Sequence, residues 1–318
     1  MMKSLRSIAV AALSVAAVAF GASPAMADPQ HPHFVFVSHA PDSDSWWSVI
    51  KNALKVAAKQ MDVGVDYRNP PTGDLGDMAR IIEQASASKP DGLISTIADF
   101  NVLQGPLADT VKKGIPLITV NSGTIEQSQK LGALLHIGQP EYDAGLAAGK
   151  RAKAQGGRDF ICVNHYISNT ASVDRCKGFA DGMGLPLGNH MIDSTLDPAT
   201  VKTRVSAFLH DHPSIDTIIA LGPSSAEPTI DVVKDAQLTG KVYFGTFDLS
   251  ARISAAIKDG TISYAIDQQP YLQGYLPVVL LANYVRYGVI PPNSVNSGPG
   301  FVTKDTIAQV EKLAGEYR

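Results

Sequence analysis

The chain has 318 residues, 18% of them charged and 45% hydrophobic, and a formal net charge of −3. That length exceeds one small core and suits two domains of ordinary size. A slightly negative balance with scattered basic residues argues against nucleic acid or an anionic membrane surface as partner.

At the N-terminus, Lys3 and Arg6 precede an apolar run from Ile8 to Phe20, followed by Ala25-Met26-Ala27. The pattern predicts a secretory signal peptide over residues 1–27, cut after Ala27, and export to the periplasm. A membrane anchor needs about 20 predominantly apolar residues, and Gly21, Ser23 and Pro24 end this run early. Leu276 to Val285, interrupted by Pro277 and Asn283, is too short to span a bilayer. Export places Cys162 and Cys176 in an oxidising compartment where pairing is permitted. A bridge closing that loop is worth about 3 kcal/mol in the chain-entropy model; two buried free thiols are the alternative. Neither cysteine lies in a CxxC or CxxH pair, so no metal site is expected.

From His33 almost to Gln269, short apolar runs alternate with longer amphipathic stretches, the pattern of βαβ units and parallel sheets. Strands are predicted at Phe34–Ser38, Val63–Tyr67, Gly92–Thr96, Pro116–Asn121, Phe160–Asn164, Gly188–Ile192, Thr217–Leu221, Val242–Thr246 and Ile262–Ala265. Helices are predicted at Trp46–Met61, Gly76–Ala87, Glu141–Ala154, Ser172–Met183, Ala199–Asp211 and Ser225–Asp235. The rhythm breaks at Leu134–Gln139, which leads into a helix opening at Pro140-Glu141 and reads as a crossing between two lobes. A helix from Gln268 to Tyr287, a polar stretch around Pro291-Pro292, and a final amphipathic helix from Thr306 to Tyr317 complete the chain.

In this order of elements the sequence resembles the ribose-type periplasmic binding proteins, which share their fold with the ligand domains of LacI-type repressors. The motifs that carry the resemblance are Trp46-Trp47, the strand from Gly114-Ile-Pro to Asn121, Arg175-Cys-Lys-Gly-Phe179, Phe244-Gly-Thr-Phe-Asp248, and the stretch from Lys258 to Tyr271. The resemblance implies an α/β fold of two doubly wound parallel-sheet lobes joined by a hinge, the type I periplasmic binding protein fold. Its lobes are expected at 28–138 plus 269–298 and at 139–268 plus 299–318, with crossings near Gly138, Gln268 and Gly298. The ligand is then held at the carboxyl ends of the strands, as the rule for open parallel sheets also requires.

A sugar or polyol offers apolar C–H faces and a ring of hydroxyls, so its site needs flat aromatic surfaces, carboxylates, amides and an arginine. Trp46 and Trp47 follow the first strand and the turn Asp42-Ser43-Asp44-Ser45; adjacent on a helix, they point about 100° apart, so one faces the cleft while the other packs inward. Asp44 joins them as a candidate contact, although the same turn offers caps for the helix. Asn121 both donates and accepts, or serves the turn before Ser122-Gly123. Asp99 either accepts a ligand hydroxyl or caps the next helix. Arg175 matches the family's cleft arginine, with a surface salt bridge on a helix as the competing reading; Gln268 matches the cleft glutamine, with Gln269 beside it as the alternative; and Asp248 ends a strand where a carboxylate can accept two hydroxyls. His165, beside Tyr166, shares that rim.

Asn121-Ser122 stands where sugar-binding relatives commonly have Asp-Arg, and Gly222-Pro223-Ser224 where they often have Asn-Asp. These departures point to a polyol, a cyclitol, a deoxy sugar or a small furanose rather than ribose itself. The resemblance implies a monomer without cofactor that delivers its ligand to an ABC transporter permease. Alternatives are a receptor for an autoinducer-type furanose feeding a chemoreceptor or sensor kinase, and an exported carbohydrate-active enzyme. The sequence has no G-x-S-x-G elbow, P-loop, G-x-G-x-x-G after the first strand, or H-E-x-x-H.

Overall fold

A computed structural model describes residues 30–318, so the expected signal peptide lies outside the described residues. Strands β1 (His33–Val37), β2 (Gly64–Arg68), β3 (Gly92–Ser95), β4 (Leu117–Val120) and β5 (Leu135–Gly138) alternate with helices α1 (Ser48–Met61), α2 (Leu75–Ala87), α3 (Phe100–Lys112) and α4 (Ile125–Leu131). The alternation continues through α5 (Glu141–Ala154), β6 (Phe160–Asn164), α6 (Thr170–Met183), β7 (Met191–Asp193), α7 (Pro198–Asp211) and β8 (Thr217–Ala220). Then come α8 (Pro223–Asp235), β9 (Tyr243–Phe247), α9 (Ala251–Asp259), β10 (Tyr264–Asp267), α10 (Pro270–Tyr287), β11 (Val295–Asn296) and β12 (Gly300–Val302).

Two six-stranded sheets result, ordered β11-β5-β4-β3-β1-β2 and β12-β10-β9-β8-β6-β7. The second repeats the topology of the first, strand for strand. All neighbours are parallel except β12, which runs antiparallel to β10. The chain passes between the sheets between β5 and α5, between β10 and α10, and between β11 and β12.

Strand alternation explains how each sheet is covered on both faces. Phe34 and Phe36 pack with Ile50 and Leu54 of α1 and Leu281 of α10, while Val35 and Val37 point oppositely, onto Met78 and Ile82 of α2. In the second sheet, Ile161 and Val163 meet Val201 and Val205 of α7, and Phe160 and Cys162 meet Ala148 of α5 and Phe179 of α6. Among the described residues no helix is long and apolar enough to cross a membrane.

The structure departs from the sequence reading in several places. Leu135–Gly138 is a strand as well as the approach to a crossing, and α3, α4 and α9 were not among the predicted helices. Pro106 inside α3 disguises that helix, and α4 is short, fixed by a capping box between Thr124 and Gln127. Trp46 and Trp47 lie in a 3-10 turn, Ser45–Trp47, ahead of α1. The predicted helix from Thr306 to Tyr317 is instead two 3-10 turns, Ile307–Gln309 and Glu311–Leu313. Ile307 and Val310 are buried there at a spacing of three, which suits the tighter helix.

The inter-lobe cleft as candidate binding site

The cleft lies between the carboxyl edges of the two sheets. Asn121 follows β4 and Asp248 follows β9, the corresponding strand of the other lobe, and both are left-handed, with φ of 59° and 63°. Asparagine and aspartate adopt this conformation more readily than other side-chain-bearing residues. Gln268, just after β10, connects them. Its Nε2 donates to both Asp248 oxygens, at 2.9 and 3.0 Å. Its Oε1 accepts from Asn121 at 3.2 Å and from Gln273 at 3.0 Å. A buried polar chain thus runs from one lobe to the other through a crossing segment. Burial pushes the Asp248 carboxyl up to about 7, with the Arg175 guanidinium opposing the shift.

Arg175 lies in α6, and its fork engages Glu141 at the start of α5: Nε donates to one carboxylate oxygen at 2.6 Å and Nη2 to the other at 2.8 Å. Nη1 donates to the Leu221 carbonyl at 3.0 Å, and the guanidinium sits 4.3 Å from the centre of the Phe247 ring. Small residues allow this pairing. A Cβ at Gly145 of α5 would lie 2.2 Å from the Arg175 carbonyl oxygen, and one at Gly178 of α6 would lie 2.1 Å from that of Tyr142. The helices therefore touch backbone to backbone, which brings Glu141 within reach of Arg175. A disulfide from Cys162 in β6 to Cys176, with Cα atoms 5.9 Å apart, ties α6 to its sheet beside the arginine.

The opposite wall begins at Asp44, whose carboxylate accepts from the Trp46 amide and, across the lobes, from the Tyr166 hydroxyl at 2.7 Å. Burial raises the pKa of Asp44, and these hydrogen bonds oppose the rise. Trp47 is buried; Trp46 packs edge-on against it, and its indole Nε1 is buried without a partner. Asn169 of α6's cap bridges the lobes from the other side, donating to His39 at 3.1 Å and to Ser122 at 2.9 Å. Because His39 Nε2 accepts there, its Nδ1 carries the hydrogen that reaches Thr96 at 3.0 Å. Burial, with Arg175 adding to it, holds His39 and His165 at about 3, so both are neutral.

Asp44, Trp46, Trp47, Asn121, His165, Arg175, Asp248 and Gln268 converge on one cavity. Asp99 does not line it; its carboxylate accepts from the amides of Asn101 and Val102 and caps α3. Sequence reasoning missed His39, Ser122 and Asn169, which share the cavity, and Glu141, which holds the arginine. His39 was accessible by the strand-end rule, since it lies two residues past β1; the others depend on contacts between elements. Among the described residues no cluster of three metal-ligating side chains occurs. The cavity is small in this form, about 40 Å³, and both lobes wall it, so a sugar-sized molecule enters only as the lobes part.

Residues 34–288 match the family model described as a periplasmic binding protein domain. The chain belongs to this family. A solved relative of this periplasmic binding protein, a carbohydrate transporter from Acidothermus cellulolyticus 11B in complex with myo-inositol, is 33% identical with a TM-score of 0.83, covering 91% of this chain and 100% of that one. The xylose/arabinose-binding protein XylF of Sulfolobus acidocaldarius is 25% identical over 311 residues, 91% of this chain and 75% of its own. The D-ribose/D-allose-binding protein of Pseudomonas aeruginosa is 25% identical over 207 residues, 61% and 63% of the two chains.

Proposed function

We propose that this exported periplasmic binding protein captures a neutral polyhydroxylated molecule, a cyclitol or monosaccharide, between its lobes and delivers it to an ABC importer without transforming it. The observation that carries the reading is the convergence of Asn121, Gln268, Asp248 and Arg175 opposite Trp46 and Trp47 in one buried inter-lobe cavity. Tryptophan faces suit the C–H surface of a ring. The remaining N–H groups of Arg175 and the unpartnered Nε1 of Trp46 can donate to hydroxyl oxygens, and Asp248 and Asn121 can accept from hydroxyl hydrogens. The arginine's charge is already matched by Glu141, which favours a neutral ligand over an anion. The myo-inositol carried by the relative from Acidothermus cellulolyticus makes cyclitols the first class to test.

Capture proceeds by hinge closure at the three crossings. Tyr166 to Asp44, Asn169 to His39 and Ser122, and the Thr170 amide to the Ala98 carbonyl at 3.1 Å are among the bonds across the lobes that opening would break. A thermal-shift screen of the chain lacking residues 1–27, against inositols, pentoses, hexoses and linear polyols, tests the reading. A ligand at 100 times its dissociation constant stabilises the folded state by about 2.7 kcal/mol. No rise with any compound would overturn the ligand class.

A further inference from the structure

Beside the hinge, separate from the sugar cleft, a groove of about 800 Å³ runs between the lobes. One side is formed by the segment from Gly123 to Gln127 and by His136 and Gly138, the other by the starts of α5 and α6. His136 is 4% exposed, and its Nδ1 faces Thr119 at 2.9 Å. Thr119 gives its own hydrogen to Ser128, at 2.8 Å, so its oxygen accepts from His136 Nδ1–H. Nε2 is therefore a lone pair, and it is buried with no partner. Gly138 leaves the space beside it free of a side chain, since a Cβ there would lie 2.5 Å away. Burial lowers the His136 pKa to about 4, so the acceptor is not lost to protonation at neutral pH.

Around this acceptor the charge is one-sided. Asp99, Glu126, Asp143 and Asp174 line the groove, Glu141 being already matched by Arg175, against the single base Lys177, which pairs with Asp174 at 3.4 Å. The acids in the first turns of α4 and α5 already answer those helix dipoles, which disfavours an anion. A bare metal ion is disfavoured as well, since among the described residues no three ligating groups come together. Tyr142 and Ile167, 40% and 51% exposed, supply an apolar rim.

We propose that this groove is a second binding site, for a small organic ammonium compound: its N–H groups donate to His136 Nε2 and the surrounding carboxylates, and its hydrocarbon part lies on Tyr142 and Ile167. Both lobes form the walls, and Glu141 lines this groove while holding Arg175 at the sugar cleft. An ammonium bound here therefore favours the closed form and tightens sugar-cleft binding, and the reverse holds equally.

The test is calorimetric titration of the chain lacking residues 1–27 with putrescine and with spermidine, alone and with saturating myo-inositol. Expected is saturable one-site binding that weakens with salt and, where inositol occupies the sugar cleft, tightens in its presence. In the exposed-surface variant E126Q/D143N it weakens by about tenfold or more, with inositol affinity measured without amine unchanged. His136→Phe removes the acceptor and should weaken it further; the exposed double variant keeps the test independent of that variant's folding. Absence of saturable amine binding, equal binding by E126Q/D143N, or displacement of the amine by inositol would each overturn the proposal. The amine titration without sugar stands whether or not inositol is the ligand.

Discussion

Asn121 and Asp248 occupy the same position in the two lobes, each left-handed just past the corresponding strand, and both are hydrogen-bonded to the side chain of Gln268. The topological repeat therefore delivers an amide and a carboxyl to the same cleft from opposite sides. One crossing residue senses both.

Asp248 sets the first prediction. Its folded-state pKa, about 7 against an ordinary 3.8, lies above that of the unfolded chain. Its contribution is most favourable below about pH 4 and is lost as pH rises through about 7. Asp248→Asn removes this dependence while leaving an acceptor for Gln268, so the variant's melting temperature relative to wild type should rise between pH 4 and 8. His39 and His165, held at about 3, act in the opposite sense: the unfolded chain takes up protons below about pH 6.5 that the folded chain refuses, so stability falls with acid in both proteins. A difference independent of pH would contradict the assignment to Asp248.

Glu141→Gln tests the ion pair. Removing one partner of a buried pair leaves the other charge uncompensated, at a cost of about 3–5 kcal/mol. Chemical denaturation should show that loss, and calorimetry should show weaker sugar-cleft binding in the surviving folded fraction. A variant as stable as wild type would mean that Arg175 does not depend on Glu141.

Gly178→Ala places one methyl group where α6 meets the Tyr142 carbonyl of α5. The helices must separate, and the Arg175–Glu141 geometry changes with them. Expected is destabilisation of about 1–3 kcal/mol, together with a raised Kd for the cleft ligand, although residue 178 does not line the cavity. Unchanged affinity would separate helix contact from arginine placement.

Replacing Cys162 and Cys176 together by serine should lower stability by about 3 kcal/mol, measured by urea unfolding. An unaltered midpoint would show that the bridge contributes nothing beyond packing.

Much of the fold was legible because buried parallel strands leave continuous apolar runs. Phe160–Asn164 carries one, and prediction and structure agree there residue for residue. Leu135–Gly138 lacked that signature, since His136 and Gly138 interrupt it and its fit depends on pairing with β4 and β11. The end of the chain misled for another reason: Thr306 to Tyr317 has an amphipathic pattern, but spacing alone does not separate a 3-10 turn from an α-helix. In the cleft, residues past strand ends were readable from the general rule for parallel sheets. Asp99 satisfied the same rule but was taken by its own helix, and Glu141 was invisible because its partner is 34 residues away.

The most direct test is calorimetric titration of the chain lacking residues 1–27 with myo-inositol, D-xylose, D-arabinose, D-ribose and D-allose, repeated with Arg175→Ala. The expected result is saturable one-to-one binding of at least one compound, weakened in the variant by about 2 kcal/mol or more. Absence of binding by all five would contradict capture of a neutral cyclitol or monosaccharide, and equal affinity in Arg175→Ala would contradict this cleft as its site.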